Sequence, residues 1–348
     1  MAQENKKKII HCFKIMINNV FAENDSAAVF KAREYTDSIK AFSECDGDIV
    51  SYEMAESILR KYGKKNPHKI LLKIKEILET GTLKAADKAM KNPLVQSIQN
   101  LTPIYGIGHK KAIELNTKYG ITTIDQLRAK FQQDSSILHN KQKIGLQYFD
   151  DLQERIPRQE IVLYEQLLLK YARQISPAII LSINGSYRRK CSTSGDIDVL
   201  ITCNDGNNPS SWRKELIQLL KTSGIIIETL ANGQKKFMGI SKLPGNYKYR
   251  HIDIIDSTME CYPFGVLYFT GSGGFNAKMR GIALEKGYSL NEYKFTDKKT
   301  KKDIPPNVIQ DKIGKNVFET EQDIFKFIEM DYVLPENRVN ITYTKLMT

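Results

Sequence analysis

The chain has 348 residues, with 52 Lys and Arg against 40 Asp and Glu, and its formal net charge is +12. This length allows two or three domains, and the basic excess favours a polyanionic partner. No run of about 18 apolar residues is present, which argues against a membrane span. Five cysteines without a CxxC pair argue against a zinc site or a disulfide framework, so we expect a soluble, intracellular protein.

The N-terminal part has a helical pattern. Between about residues 13 and 88, apolar residues recur three and four apart and are interrupted by Gly-containing breaks, which predicts a small all-helical unit. A second helical unit is predicted from about 93 to 148, broken by Gly106 to Gly108 and by Gly120.

Strands are predicted only after Pro157. A long helix over 159–175 comes first, and five strand-like segments follow at 178–183, 197–202, 225–230, 237–240 and 249–255. The segment from 262 to 335 mixes Gly-rich turns with short elements and an amphipathic helix near 321–330. Helices first and a mixed sheet later favour separate domains over one wound sheet.

The most informative motif is a Gly-Ser turn with two arginines, Gly185 to Lys190, followed by the strand that carries Asp196 and Asp198. Alternation along a strand puts these two carboxylates on one face and Ile197, Val199 and Ile201 on the other. Asp253, in a second buried strand, supplies a candidate third carboxylate. The alternative is a surface turn with solvated acids.

Carboxylates grouped in this way suit hard divalent cations. Two Mg²⁺ ions roughly 3.5–4 Å apart can activate an attacking hydroxyl and stabilise a leaving pyrophosphate. The sequence therefore predicts nucleotidyl transfer at Asp196, Asp198 and Asp253.

The segment 101–111 has the pattern of a helix-hairpin-helix. Gly106 and Gly108 permit a tight turn that brings backbone N–H groups to a phosphate at the start of the next helix, where Lys110 and Lys111 add positive charge. Such contacts would hold DNA by its backbone, without reading bases. An ordinary Gly turn between helices is the alternative.

Two further segments have functional and structural interpretations. Lys69 and Lys73 lie one turn apart on one face of a predicted helix, with Ile70, Ile74 and Ile77 on the other face. Lys73 taken alone is more readily a phosphate contact than a nucleophile. Tyr268 and Phe269 precede a Gly turn and could form a wall against a sugar, although aromatic residues in isolation more often pack a core.

Together and in this order, the motifs resemble DNA polymerase family X, closest to the DNA polymerase β branch, over about residues 13–338. The resemblance implies a multidomain α and α+β protein. It comprises a helical lyase-like domain (1–91), a helix-hairpin-helix DNA-binding or fingers subdomain (92–150), a nucleotidyltransferase palm with a mixed sheet (151–261), a small α+β nucleotide-selection or thumb subdomain (262–337) and a tail (338–348).

The resemblance also implies roles for individual residues. Asp196, Asp198 and Asp253 would bind two Mg²⁺ ions, for which Mn²⁺ could substitute, and Asp253 would accept the primer 3′-hydroxyl proton. The nucleotide would be contacted by a set that spans two segments: Ser186, Arg188, Arg189, Ser194, Gly195, Tyr268, Phe269, Gly271, Asn276 and Arg280. DNA would be held by Gly106, Gly108 and Lys110 and, through a monovalent cation (Na⁺ or K⁺), by the carbonyls of Thr102, Ile104 and Ile107.

A second activity is implied for the N-terminal domain. Lys73 matches the Schiff-base lysine of a 5′-deoxyribose-phosphate lyase, with Lys31, Tyr35 and Lys69 as phosphate-binding neighbours. The sequence departs from the family pattern at three kinds of position. The first helix-hairpin-helix, at 63–67, has lost glycines, Phe30 replaces a histidine of the lyase, and His251 and Gly273 replace an arginine and an acidic residue near the polymerase site.

The resemblance therefore implies template-directed addition of dNTPs to a primer in gapped or nicked DNA, as in base-excision repair or replication. The enzyme would be a nuclear monomer with no membrane partner. Two alternatives stay open. One is a template-independent terminal transferase or another nucleotidyltransferase acting on RNA or a small molecule. The other is a catalytically silent protein that binds DNA ends.

Overall fold

A computed structural model describes residues 4–23, 27–43, 47–62, 64, 66–206 and 208–338. The chain divides into two compact units, one ending at Phe149 and one beginning at Asp150. The altered hairpin at 63–67 lies partly outside the described residues, because Gly63 and Lys65 belong to the undescribed positions.

The first unit is helical, as the sequence predicted. Its helices are α1 Glu4–Ala22, α2 Ala28–Ser43, α3 Tyr52–Lys61, α4 His68–Thr80, α5 Lys84–Ala89, α6 Pro93–Leu101, α7 His109–Tyr119, α8 Ile124–Gln133 and α9 Asn140–Gln147. One core is built by α1 to α6, and it includes Ile70, Ile74 and Ile77, the apolar face that the sequence assigned to α4. A second core forms around α6 to α9. Short helix α10, Phe149–Gln153, crosses the point of division.

The second unit is built on a mixed sheet of five strands in the order β2-β4-β7-β6-β5. After a two-residue strand β1 (Ile156–Pro157), these elements are α11 Arg158–Ile175, β2 Ile179–Ile183, α12 Gly185–Arg188, β3 Thr193–Ser194, β4 Ile197–Cys203, α13 Pro209–Thr222, β5 Ile226–Asn232, β6 Lys236–Ser241 and β7 Arg250–Asp256. Strands β4 and β7 run parallel, whereas the other neighbours in this sheet run antiparallel. The sequence predicted all five strands to within a few residues.

The two faces of this sheet have different chemistry. Ile197, Val199 and Ile201 of β4 and Ile252 and Ile254 of β7 pack in the main core. Their neighbours point to the opposite face, where Leu200 and Ile255 pack beneath Val266 of a later helix. Alternation therefore leaves Asp198 and Asp253 on that second face.

The C-terminal part of the second unit has its own aromatic core. Its elements are α14 Tyr262–Thr270, α15 Gly273–Glu285, β8 Tyr288–Leu290, β9 Phe295–Asp297, α16 Pro306–Ile313 and α17 Glu321–Phe327. Phe264, Phe275, Phe295, Phe325 and Phe327 are all buried in it. The small α+β subdomain expected over 262–337 has this composition of elements.

The sequence assigned Arg338 to a tail, but the structure places it in the packed part of the second unit. It is fully buried, and its Nη1 donates to Glu321 Oε1 at 2.7 Å, so the packed structure extends through this residue. Residues 339–348, the rest of the expected tail, lie outside the described residues. Among the described helices, none is long and apolar enough to cross a membrane.

Candidate active site

Three acidic residues come together on one face of two neighbouring strands. The parallel register of β4 and β7 sets Asp198 directly beside Asp253, and adjacent strands lie about 4.8 Å apart. Asp196 precedes Asp198 by two residues, just before β4 begins, and it is close enough for its charge to act on Asp198 and for that of Asp253 to act on it. Asp198 and Asp253 are half-buried, whereas Asp196 is exposed at the edge of the sheet.

Burial and repulsion between the neighbouring carboxylates change the pKa values of these acids. Burial raises the pKa of Asp198 to about 7, with added repulsion from Asp196 and Asp253. Asp196 reaches solvent on one side, but the protein around it desolvates the carboxyl enough to raise its pKa, and the charge of Asp253 adds to that effect. His251 lies two residues before Asp253, and burial lowers its pKa. These acids therefore need positive charge nearby to ionise together.

Lys236, the first residue of β6, supplies such a charge. Its Nζ lies 2.6 Å from Asp253 Oδ2, and it also lowers the pKa values of Asp196 and Asp198. The donor set of three carboxylates fits a hard divalent cation. As the side chains are oriented, however, no three His, Cys, Asp or Glu residues in the described ranges form a group that could hold a metal ion. The expected metal site thus exists as a shared face, and its carboxylates would have to turn toward one another.

Beside the acids lies an open cleft of about 700 Å³. It brings together most of the residues that the sequence assigned to the nucleotide, and its lining includes Gly185, Ser186, Arg189, Gly195, Asp196, Asp198, Tyr268, Phe269, Gly271, Asn276 and Arg280. Residues from two distant segments of the chain, 185–198 and 268–280, thus line the same cleft.

Gly185 matters for the geometry of this cleft. Its backbone φ is +58°, and a Cβ there would lie 2.4 Å from Asp198 Oδ2. The next residue back, Asn184, donates its backbone N–H to the Asp198 carbonyl at 2.8 Å. A side chain at position 185 would therefore displace the Asp198 carboxylate.

Two predicted nucleotide contacts lie elsewhere. Arg188 donates to Thr270 Oγ1 at 2.7 Å and to both carboxylate oxygens of Glu321, at 3.1 and 2.6 Å, so its guanidinium joins α12 to α14 and α17 instead of lining the cleft. Ser194 is buried, with 2% of its surface exposed, and is also absent from the lining. For Arg188 the reason is the strong preference of a guanidinium for a two-point carboxylate partner.

Arg155 and Arg189 give the cleft its positive charge. Arg155 is fixed by Thr193, whose hydroxyl and carbonyl accept from it at 3.1 and 2.7 Å, and it lowers the pKa of Asp196. Arg189 donates Nη1 to the Thr270 carbonyl at 2.6 Å, while its Nε is buried without a partner. Guanidinium groups that are fixed beside carboxylates are suited to binding a chain of phosphates that is also coordinated to a metal ion.

The opposite wall is aromatic. The rings of Tyr268 and Phe269 meet edge to face with centroids 5.0 Å apart. Asn276 Nδ2 donates to the Tyr268 carbonyl at 2.7 Å, and the Arg280 guanidinium lies 5.2 Å from the Tyr268 ring. A flat wall with an amide and a guanidinium beside it can accommodate a sugar and a base.

In the first unit, a hairpin at 102–108 joins α6 to α7. Gly106 has φ +83°, and its carbonyl accepts from Gln142 Nε2 at 3.0 Å. The Ile104 carbonyl accepts from Ile107 N at 3.0 Å, and Gly108 and Lys110 are exposed at the start of α7. The turn is therefore formed as the sequence predicted, and the cation and DNA contacts assigned to Thr102, Ile104, Ile107, Gly106, Gly108 and Lys110 stay predictions.

The residues assigned to a lyase lie on α2 and α4. The Lys73 Nζ lies 6.0 Å from the centre of the Tyr35 ring and 3.5 Å from the Lys69 carbonyl oxygen. Lys31 and Lys69 are exposed, and so is Phe30, at 76%. Lys73 and Tyr35 are thus neighbours.

Several residues of the cleft and of its acids escaped sequence reasoning. Lys236 follows a Gly turn in a hairpin, Arg155 lies near the start of the predicted palm, and neither belongs to a motif that the sequence analysis identified. Cys191 also lines the cleft. The available signal for Lys236 was its position at the start of β6, the strand next to β7, which carries Asp253.

Comparisons with known proteins agree with this geometry. Residues 155–258 match the family model described as DNA polymerase beta palm, 265–339 the DNA polymerase beta thumb, and 99–153 the fingers domain of DNA polymerase lambda. DNA polymerase lambda of Rattus norvegicus is 31% identical over 327 residues, which is 91% of this chain and 54% of that protein.

Two other relatives match smaller shares. DNA polymerase lambda of Arabidopsis thaliana is 31% identical over 63% of this chain and 42% of its own length. DNA nucleotidylexotransferase of Xenopus laevis is 25% identical over 76% of this chain and 56% of its own. The chain thus spans about half the length of the curated relatives that it matches.

Proposed function

We propose that this chain, which belongs to DNA polymerase family X, extends a primer strand in DNA by copying a template across a short gap. The observation that carries the proposal is the row of three carboxylates on β4 and β7 beside a basic and aromatic cleft. Members of this family use divalent metal ions. We assign Asp196, Asp198 and Asp253 to hold them, with Mg²⁺ as the expected ion.

The reaction is an in-line phosphoryl transfer. The primer 3′-oxygen forms a bond to the α-phosphorus of a dNTP, and the bond from that phosphorus to the pyrophosphate oxygen breaks. Bound divalent ions would neutralise the phosphates and favour the ionised 3′-oxygen. Asp253 would take the proton of the 3′-hydroxyl, and the Arg155 and Arg189 guanidinium groups would face the charge that develops on pyrophosphate.

The aromatic wall has a separate role in the proposal. Tyr268 and Phe269 would lie along the sugar of the incoming nucleotide and disfavour a 2′-hydroxyl, while Asn276 and Arg280 would contact the new base pair. In the described structure Asn276 and Arg280 already contact Tyr268, so binding would exchange those contacts for substrate.

A primer with a one-nucleotide gap tests the proposal. Asp253→Asn should lose extension by several orders of magnitude, because a neutral amide neither takes the proton nor holds a cation well, while DNA affinity measured by fluorescence anisotropy stays close to that of the wild type. Extension that persisted in Asp253→Asn would overturn the assignment. Asp205→Asn, in the exposed turn after β4, is the matched control and should extend normally.

A template-independent transferase is the second candidate, since one relative is named DNA nucleotidylexotransferase. The same primer without its template strand decides between the two. Extension of the single strand at a comparable rate would favour the transferase, whereas dependence on the template base would favour the polymerase.

We also propose a 5′-deoxyribose-phosphate lyase in the first unit, with Lys73 as the amine that forms a Schiff base. The nearness of Lys73, Tyr35 and Lys69 supports it. Borohydride reduction with gapped DNA carrying a 5′-deoxyribose phosphate should trap a covalent adduct in the wild type. Lys73→Arg should abolish the adduct, Lys75→Arg should retain it, and absence of trapping in the wild type would refute this activity.

A further inference from the structure

Lys236 is placed to act on the acidic face as a built-in cation. Antiparallel pairing sets Met238 opposite Asp253 and Lys236 opposite Ile255, so all four side chains share one face of the sheet. The Lys236 stem can therefore run along this face, and its Nζ reaches Asp253 Oδ2 at 2.6 Å. The lysine side chain is 44% exposed and that of Asp253 only 15%, so the ammonium has room to withdraw toward solvent.

The influence of this ammonium extends beyond Asp253. The positive charge of Lys236 favours ionisation of both Asp196 and Asp198. A single side chain thus offsets part of the repulsion within a cluster of three carboxylates.

We propose that Lys236 and a divalent cation compete for Asp253, so that metal binding there requires the lysine ammonium to leave the carboxylate. The inference rests on the proposed function, because that function assigns Asp253 to metal binding. In the structure Asp253 Oδ2 is turned toward Lys236.

Two physical effects act in the same direction. An oxygen that accepts a charged hydrogen bond at 2.6 Å must give it up before it can enter a coordination sphere. A nearby ammonium also repels a doubly charged ion, and this repulsion is reduced but not removed by solvent at a partly exposed site. Removing the charge of Lys236 should therefore tighten metal binding.

The test measures binding of Mn²⁺ alone to the full chain without DNA, by the electron paramagnetic resonance signal of the free ion. The measurement is made near pH 8.5, above the pKa of about 7 of Asp198. We expect Lys236→Gln to bind Mn²⁺ about tenfold more tightly than the wild type. Lys236→Arg, which keeps the charge, should stay within about threefold of the wild type.

Lys235→Gln is the matched control. It removes the same charge one residue earlier, where the Lys235 ammonium lies 4.3 Å from the centre of the Tyr293 ring. Equal tightening in Lys235→Gln and Lys236→Gln would show an effect of net charge only and would overturn the proposal. Unchanged Mn²⁺ affinity in a folded Lys236→Gln would overturn it as well.

A measurement on the wild type avoids any dependence on variants that fold poorly. Reductive methylation with peptide mass spectrometry reports how available each lysine amine is. Adding Mn²⁺ should raise labelling of Lys236 several-fold and leave Lys235 unchanged. Labelling of Lys236 that does not respond to Mn²⁺ would contradict displacement.

Primer extension on the same wild-type preparation separates this inference from the proposed function. If the protein extends primers but labelling of Lys236 does not respond to Mn²⁺, the proposed competition between Lys236 and the cation is wrong and the polymerase assignment stands. A chain in which Mn²⁺ displaces Lys236 but which extends no primer would refute the polymerase assignment alone.

Discussion

Arg188 and Glu321 form a two-point ion pair, with Arg188 Nη2 2.6 Å from Glu321 Oε2 and Nη1 3.1 Å from Oε1. The same carboxylate accepts from Arg338 Nη1 at 2.7 Å, and Arg338 is fully buried. One carboxylate thus pairs with two arginines that are distant in the chain, and it ties the short helix after β2 to the C-terminal subdomain.

Glu321→Gln should destabilise the second unit by about 3–5 kcal/mol, because it leaves the buried Arg338 charge without compensation. Urea unfolding followed by the single tryptophan, Trp212, which lies in this unit, measures the change. Glu319→Gln is the control: its ion pair with Lys315 is mostly exposed, so we expect a loss below about 1 kcal/mol. Equal losses in the two variants would contradict the central role of Glu321.

A second buried pair secures the outer strands. Arg213 of α13 is fully buried and donates to Asp256, and its Nη2 also donates to the carbonyls of Gly233 and Gln234 at 3.1 and 2.6 Å. Arg213→Met should therefore cost about 3–5 kcal/mol, measured by circular dichroism in urea, since Asp256 loses its charged partner and keeps a hydrogen bond from the Ser210 hydroxyl.

The neighbouring residue provides the comparison for Arg213. Lys214→Met removes an exposed charge and should change the free energy of unfolding by less than about 0.5 kcal/mol. The double variant Arg213→Met with Asp256→Leu should recover part of the loss, because it leaves no buried charge alone. No recovery would point to the carbonyl contacts as the main contribution.

Gly145 should be intolerant of a side chain although it lies within helix α9. A Cβ at this position would lie 2.2 Å from the Tyr105 carbonyl oxygen in the hairpin at 102–108. Gly to Ala in a helix normally stabilises by up to about 1 kcal/mol, but overpacking costs about 1–3 kcal/mol, so we expect Gly145→Ala to destabilise the first unit. Differential scanning calorimetry measures the transition.

Gly108→Ala gives the contrast, because nothing lies within 4 Å of a Cβ there and its φ of −94° suits alanine. Its transition temperature should stay near that of the wild type. Gly145→Ala should also weaken binding to duplex DNA if the hairpin holds the backbone. A stable Gly145→Ala would show that the two segments can separate at little cost.

The raised pKa of Asp198, about 7, predicts a pH dependence of stability. Between about pH 4 and 7 the folded state holds this proton more tightly than the unfolded state, whose Asp has its ordinary value. The free energy of unfolding contributed by Asp198 therefore falls as pH rises through this window and levels off above it.

Asp198→Asn should remove that dependence, so its stability relative to the wild type should increase between pH 4 and 7. Urea titrations at several pH values, with a chelator to exclude divalent ions, give the difference between the two proteins. A difference that does not vary with pH would show that Asp198 ionises in the folded state as it does in a peptide.

Sequence reasoning succeeded where the information was local. Alternation along β4 is a property of seven consecutive residues, so the facing of Asp198 away from the core residues Ile197, Val199 and Ile201 followed from their spacing alone. The glycine hairpin at 102–108 and the apolar face of α4 are local in the same sense.

Features that depend on distant partners were missed or misplaced. The role of Arg188 is decided by Glu321, 133 residues later, and nothing near Arg188 signals it. Lys236 is defined by Asp253 across a strand pair, and Arg155 is held by Thr193. A single sequence gives the residue types but leaves open which of several carboxylates an arginine or lysine will meet.

The division of β4 into an acidic and an apolar side has a consequence for insertions and deletions. Adding or removing one residue just before Ile197 would turn every following side chain of β4 to the other face of the sheet, which would bring Asp198 into the main core in place of Ile197 and Val199. The length of β4 is therefore constrained as strongly as its amino-acid composition. Variation in chain length should be accommodated instead in the exposed turn at 204–206, where an extra residue changes no strand's facing.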